Sequence, residues 1–266
     1  MNNLVKGLMV ERANFPVREE NLITNSNLAT EFKAVIREDT NTVIGVATNK
    51  YHSVPNQQIQ EFFDTQIAEF FPPNVVETIK VDLYLPHGGG KYIKKYHITD
   101  PAYKVEIRED DFVSPTISTY NSYDSSLAMG FDIGAFRLAC SNGMMIGKQF
   151  IAKKMRHYIT CSPEVFQKDL ESTMKKYMDI TEIWKGWVNE VWDVADVEEY
   201  LSNESISEKK AKEIVEQFKR QGENNKWMFY NAITYVITHQ TVARKEENTI
   251  LSQMNLAGIV ENLYRM

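Results

Sequence analysis

Three short strings in this chain hold residue types that could do chemistry. The first is His87-Gly88-Gly89-Gly90. In some esterases the backbone N–H groups of such a string meet a developing oxyanion. That chemistry needs a nucleophile in a G-x-S-x-G turn, and the chain has none. The glycines are therefore read as a turn between two strands. The following Lys91 does not make a phosphate loop, because no Ser or Thr completes a G-x-x-x-x-G-K pattern. His52, His87, His97, His157 and His239 lack metal-ligand spacing. Asp82 with Glu106 and Arg108 could hold magnesium, but carboxylates recur every few residues in an acidic chain. No residue set marks the chain as an enzyme, and no cofactor or metal motif is present.

The other two strings are basic. Lys91-Tyr92-Ile93-Lys94-Lys95-Tyr96-His97 puts three lysines and two tyrosines on one strand. Strand alternation shows Lys91, Lys95 and His97 on one face and Tyr92, Lys94 and Tyr96 on the other. Lysines meet phosphates and tyrosine rings stack on unpaired bases; equally, lysines protect an edge strand from aggregation. The second string, Lys148 to Tyr158, carries Lys148, Lys153, Lys154, Arg156 and His157 with no acid. Its potential is positive in any fold, whether it serves a polyanion or faces an acidic part of the same chain.

Such strings have to be placed by a fold of ordinary composition. A chain of 266 residues with 43% hydrophobic residues buries a sizeable core in one large domain or two unequal ones. The net charge of −6 excludes a surface that is basic all over. Residues 1–160 hold 17 basic and 18 acidic side chains, and residues 161–266 hold 13 and 18, so the acidity lies toward the C-terminal part. Cys140 and Cys161 are too few for a disulfide framework and are read as free thiols. No apolar run approaches the length of about 18 residues that a membrane helix needs. The opening MNNLVKGLMVERANF turns charged too soon for a secretory signal, so a cytoplasmic protein with no membrane partner is expected.

The predicted class is α+β: an antiparallel sheet of hairpins with a packed helix in the N-terminal part, and a mostly helical C-terminal part. Period-2 patterns predict hairpins at 32–37 with 43–50, at 79–85 with 91–98, and at 104–108 with 112–120. Ile59, Phe62, Phe63, Ile67 and Phe70 predict a helix capped by Asn56 and stopped by Pro72-Pro73. From Ser162-Pro163 onward the period is helical, with a Phe166, Leu170, Met174 and Tyr177 stripe. Short helices around Trp184, Trp187 and Trp192 follow, then helices from Ser207 and from Trp227, and a last one at 250–264. A strand-rich domain over 1–160 and a helical region over 161–266 are expected, with the second possibly continuous with the first.

The segment Tyr120-Asn121-Ser122-Tyr123-Asp124-Ser125-Ser126, followed by Arg137-Leu138-Ala139-Cys140-Ser141-Asn142, resembles a phage- and plasmid-borne domain of unknown function. Upstream, Gly45 to Asn56 is similar to that family's entry into its helix, and Asn231 to Tyr235 with His239 is similar to its C-terminal segment. The motif positions are Asn121, Asp124, Arg137, Cys140 and Asn142. Physically, Asn121 and Asp124 are turn formers, and Arg137 either pairs with Asp124 or meets phosphate. The family's organisation also looks distantly like that of RecT, Redβ and Erf single-strand annealing proteins. This resemblance implies a phage protein of the host cytoplasm that binds and anneals single-stranded DNA in recombination or replication, without nucleotide hydrolysis. Lys91, Lys94, Lys95, Arg137, Lys148, Lys153, Lys154 and Arg156 would neutralise phosphates, and Tyr92, Tyr96 and Tyr158 would stack on bases. A homo-oligomeric ring or filament is the implied partner state. The alternative is a protein–protein module that binds a host factor through the acidic, Trp-rich stretch 184–200.

Overall fold

The computed structural model describes residues 3–137, 142–144, 152–157, 162–166, 168–236, 259–260 and 262–265. In chain order the first elements are α1 (Asn3–Leu8), β1 (Val17–Ile23), β2 (Ala29–Arg37), β3 (Thr42–Thr48), α2 (Asn56–Phe70) and α3 (Pro73–Val76). Then come β4 (Lys80–Tyr84), β5 (Lys91–His97), β6 (Val105–Arg108), β7 (Asp111–Ser122), β8 (Met129–Arg137), β9 (Asn142–Met144) and β10 (Ala152–Met155). Helices α4 (Asp169–Asn189), α5 (Val194–Ser202), α6 (Glu208–Arg220) and α7 (Lys226–Tyr235) complete the described elements. The class is α+β, with antiparallel hairpin strands first and helices after. Among the described residues no helix is long and apolar enough to cross a membrane.

Two compact units interleave along the chain. One holds Met1–Ile98, Ile117–Asp132 and Ala152–Ser172; the other holds Thr99–Thr116, Ile133–Ile151 and Thr173–Met266. The boundary between these units falls inside β7 and again inside β8.

In the first unit, β1, β2 and β3 form a small antiparallel sheet. A second sheet runs in the order β10-β8-β7-β5-β4. The strand β5 is therefore interior, not an edge strand shielded by lysines. Between β4 and β5 the His87-Gly88-Gly89 string is a tight turn with φ of 55°, 68° and 102°. Glycine is required at Gly89, where a Cβ would meet the Phe15 ring at 2.5 Å in a backbone conformation that other residues rarely adopt. Strand β1 was not legible as a strand, because its sequence VREENLI buries neither face and so shows no alternation.

Helix α2 turns two stripes inward. Ile59, Phe63 and Ile67 are apolar and buried, as the spacing predicts; Asn56, Gln60 and Asp64 repeat every four residues and are equally buried. This polar stripe meets polar groups of the sheet. Lys94 Nζ donates to Asp64 Oδ1 at 2.5 Å and to Gln60 Oε1 at 3.1 Å, and Tyr96 Oη donates to Asp64 Oδ1 at 2.6 Å. Both members of the ion pair have no exposure. Burial outweighs their mutual attraction: it raises the Asp64 carboxyl above its usual range and pulls the Lys94 ammonium down to about 8.

In the second unit, β6 pairs with β7 and β9 with β8. Helix α4 runs unbroken through Trp184 and Trp187, where short helices were expected. Leu170, Met174, Tyr177, Ile180, Trp184 and Trp187 keep a three-or-four spacing and are all buried, so one stripe carries the helix through. The helix begins at Asp169, after a 3-10 turn over Pro163–Phe166, rather than at Ser162-Pro163. Trp184 and Trp227 ring centroids lie 5.7 Å apart, and Trp184 Nε1 donates to Tyr264 Oη at 2.7 Å. Ser207 caps α6 as predicted, accepting from Lys210 N–H. Most of the expected helix at 250–264 lies outside the described residues.

The buried ion pair makes a direct prediction. Lys94→Met leaves Asp64 buried without a counter-charge and is expected to cost about 3–5 kcal/mol at pH 7. Lys94→Met with Asp64→Leu is expected to cost clearly less. In the single variant Asp64 titrates with its folded pKa raised further, so its stability is retained at low pH and lost as pH rises. Urea unfolding at pH 5 and pH 7 measures both effects; equal losses in the single and double variants would contradict the assignment.

Candidate nucleic-acid interface

The strand β5 is the first basic string, and the structure corrects its reading. The predicted alternation is present, but Tyr92, Lys94 and Tyr96 have no exposure, because they point toward α2. None of the three presents its side chain to a polyanion. Burial pushes the Tyr92 and Tyr96 hydroxyls well above the usual tyrosine range. On the other face, Lys95 is half-buried and burial lowers its pKa, with Asp132 and Asp82 opposing. Lys91 is also half-buried, 3.8 Å from Asp124.

Arg137 is a clamp inside the second unit, and its partner is Asp111 rather than Asp124. Its Nε and Nη2 donate to the two Asp111 oxygens at 2.6 Å each, and it is 5% exposed. Trp227 Nε1 also donates to Asp111 Oδ2 at 3.0 Å. These bonds hold the Asp111 carboxyl below its usual range although burial pushes it up. A guanidinium so bound to a buried carboxylate is not available to phosphate. Asp111 and Trp227 were missed because neither stands in a short motif. Asn142 pairs with Arg137 in the β9–β8 register.

The second basic string falls partly on described residues. Lys153 pairs with Asp169 at 2.9 Å. Lys154 is exposed, with Nζ 5.4 Å from the centre of the Tyr120 ring. Arg156 is exposed just past the end of β10. Lys148, Tyr158 and Cys140 lie outside the described residues.

Arg156 opens onto a groove of about 460 Å³ in the first unit. Its buried lining is Tyr51 and His157, with half-buried Leu127 and Ala128; its exposed lining is Thr48, Lys50, Ser125 and Arg156. The Tyr51 and His157 rings stack at 4.6 Å with 27° between planes. Both are tied down. Tyr51 Oη donates to Ser122 O at 2.5 Å, and Lys33 Nζ donates to Tyr51 O at 2.7 Å. His52 N–H donates to His157 O at 3.1 Å, and His157 Nδ1 lies 3.1 Å from His52 O. Burial lowers the His157 pKa, although the His52 carbonyl pulls it up, so the ring is neutral at pH 7.

The Asn121 to Ser126 motif builds the wall behind this groove. Asn121 Nδ2 donates to Val54 O and to Asn56 Oδ1, both at 2.8 Å. Asn56 does not cap α2 with its side chain; its own N–H donates to Tyr123 Oη at 3.0 Å. Ser122 Oγ closes the turn by donating to Leu127 O at 3.0 Å and accepting from Leu127 N–H at 3.1 Å. Asp124 accepts from Ser126 N–H at 3.0 Å. Gly45 lets this wall approach β3, since a Cβ there would lie 2.4 Å from Tyr123 O. Asn121→Ala is expected to cost about 2 kcal/mol, because Val54 O and Asn56 Oδ1 become buried and unpaired. Arg156→Ala is expected to stay within about 0.5 kcal/mol of the wild type. Urea unfolding of the two variants separates the structural member from the exposed one; similar losses in both would contradict these roles.

Comparison with known proteins gives one result. A family model described as "Domain of unknown function (DUF932)" matches residues 43–256. No curated protein and no solved structure matches the chain. The distant likeness to RecT, Redβ and Erf annealing proteins thus gains no support from relatives. The matched stretch takes in the Gly45 approach, the Asn121 motif, the Arg137 clamp and both sides of the groove, and the chain belongs to this domain-of-unknown-function family, DUF932.

Proposed function

We propose that this protein is a phage single-stranded DNA binding and annealing protein of recombination or replication that works without nucleotide hydrolysis. The observation that carries the reading is the run of exposed cations at the end of β10. Arg156, just past the end of β10, and Lys50 line one groove together with the stacked Tyr51 and His157 rings, and Lys154 is exposed on β10 itself. Lysine and arginine neutralise phosphates along an extended strand, while rings and apolar side chains receive unpaired bases. The first residues of the expected set drop out: Tyr92, Lys94, Tyr96 and Arg137 serve the core instead. Lys154 and Arg156 remain exposed, with Lys91, Lys95 and the Asp169-paired Lys153 at reduced accessibility. Because the net charge is −6, binding of a polyanion has to come from this local field. Annealing of two strands fits a homo-oligomer, in which neighbouring copies hold each strand extended.

The rival, a host-factor module using residues 184–200, would rest on the exposed Val191 and acidic side chains of that stretch rather than on its tryptophans. Trp184, Trp187 and Trp192 of the acidic stretch are buried. Lys226 lies over the Trp187 and Trp192 rings and pairs with Glu190 at 3.1 Å.

Anisotropy of a labelled oligothymidine, titrated at several salt concentrations, tests the proposal. Binding is expected to weaken steeply with salt and to resist competition by duplex. Lys153, Lys154 and Arg156 changed together to Ala are expected to reduce the salt slope by about 2. An unchanged slope, or no binding at low salt, would sink the assignment.

A further inference from the structure

The groove beside β10 is built more specifically than a strand track requires. Several cations of the first unit, among them Arg18, Lys33, Arg37, Lys91 and Lys153, lie within 4.0 Å of a carboxylate, whereas Arg12, Lys80 and Lys168 have no such partner among the described residues. Lys50 and Arg156 make no ion pair among the described residues, and both line the same groove with exposed side chains. Two exposed cations that line one groove, neither ion-paired among the described residues, offer a place for an anion. The same groove is also lined by apolar and aromatic side chains, from Leu127, Ala128, Tyr51 and His157. That lining is pre-formed: hydrogen bonds fix Tyr51 at its hydroxyl and its carbonyl, and fix His157 at its ring and its backbone. Two exposed cations, two hydroxyl-bearing residues and an apolar and aromatic lining in about 460 Å³ suit one nucleotide better than a bare phosphate or a bare base.

We propose that this groove is a mononucleotide subsite, with the phosphate between Lys50 and Arg156 and the base on the Leu127, Ala128, Tyr51 and His157 lining. It deepens the strand-binding reading by assigning the place where one unstacked nucleotide is held, and as part of a strand site it rests on that reading. Thr48 and Ser125, which also line the groove, bring hydroxyls for the sugar. No bond is made or broken in the subsite.

Isothermal titration calorimetry of the full chain with dTMP, thymidine and inorganic phosphate, each as a separate probe, tests the subsite. Binding of dTMP is expected to be tighter than that of either fragment. Lys50→Ala and Arg156→Ala are each expected to weaken dTMP about tenfold, the loss of one charge-assisted contact. Lys153→Ala with Lys154→Ala is expected to leave dTMP binding unchanged while weakening oligothymidine. If dTMP binds no better than phosphate, or if Lys50→Ala and Arg156→Ala have no effect, the subsite is overturned. Oligothymidine binding without dTMP binding would keep the strand reading and reject the subsite. Binding of dTMP with the expected variant pattern, but no oligothymidine binding, would keep the subsite and reject the strand reading. Unfolding midpoints of the variants confirm that each is folded before it is compared.

Discussion

The polar stripe of α2 is the constraint on which the first unit depends. Asn56, Gln60 and Asp64 are buried, so each must find a partner in the sheet or carry the cost of a desolvated polar group. Asn121 answers Asn56, and Lys94 answers both Gln60 and Asp64. These contacts fix the helix at one rotation and one height on the strands, because a shift of one residue would leave a charge unpaired. An apolar seam of the same volume would hold the helix as strongly but would tolerate sliding. The groove inherits this precision. The strand end that offers Asn121 to α2 also offers the Ser122 carbonyl to Tyr51 and the Tyr123 hydroxyl to the first turn of α2.

Cations in this chain divide into two populations with different tasks. Lys94, Arg137 and Lys226 are buried against carboxylates and aromatic rings and belong to the architecture. Lys50 and Arg156 are exposed and line one groove, and Lys154 is exposed on β10. Sequence proximity mixes the two, since Lys94 and Lys95 are neighbours with opposite directions. An acidic protein can still present a positive site to a polyanion in this way, because screening limits the reach of its other charges to about 8–10 Å at physiological salt.

Much of the fold was legible. The hairpins β2–β3, β4–β5 and β6–β7 announced themselves by alternation and turn residues, and α2 by its Ile59, Phe63 and Ile67 spacing. Strand β8 escaped because its alternating Phe131, Ile133 and Ala135 are interspersed with glycine and a carboxylate. The site was less legible. The alternation of β5 was right, but periodicity does not say which face of a strand a helix covers, so Tyr92, Lys94 and Tyr96 were read as DNA contacts although α2 covers them. The Asp111 partner of Arg137 and the stacking of Tyr51 on His157 join residues far apart in the chain, with no local signal. What the resemblance did mark, the Gly45 to Asn56 and Asn121 to Ser126 segments, turns out to be one structural joint.

Photo-crosslinking tests most directly whether this joint serves a nucleic-acid surface. An oligothymidine bearing 4-thiothymidine would be irradiated with the full-length protein, and the modified peptides mapped by mass spectrometry. Adducts on peptides containing Tyr51, Lys154 or His157 are expected. Adducts confined to the helices of residues 173–236, or no adducts at concentrations that saturate binding, would contradict the assignment of the β10 end and its groove as the DNA-binding surface.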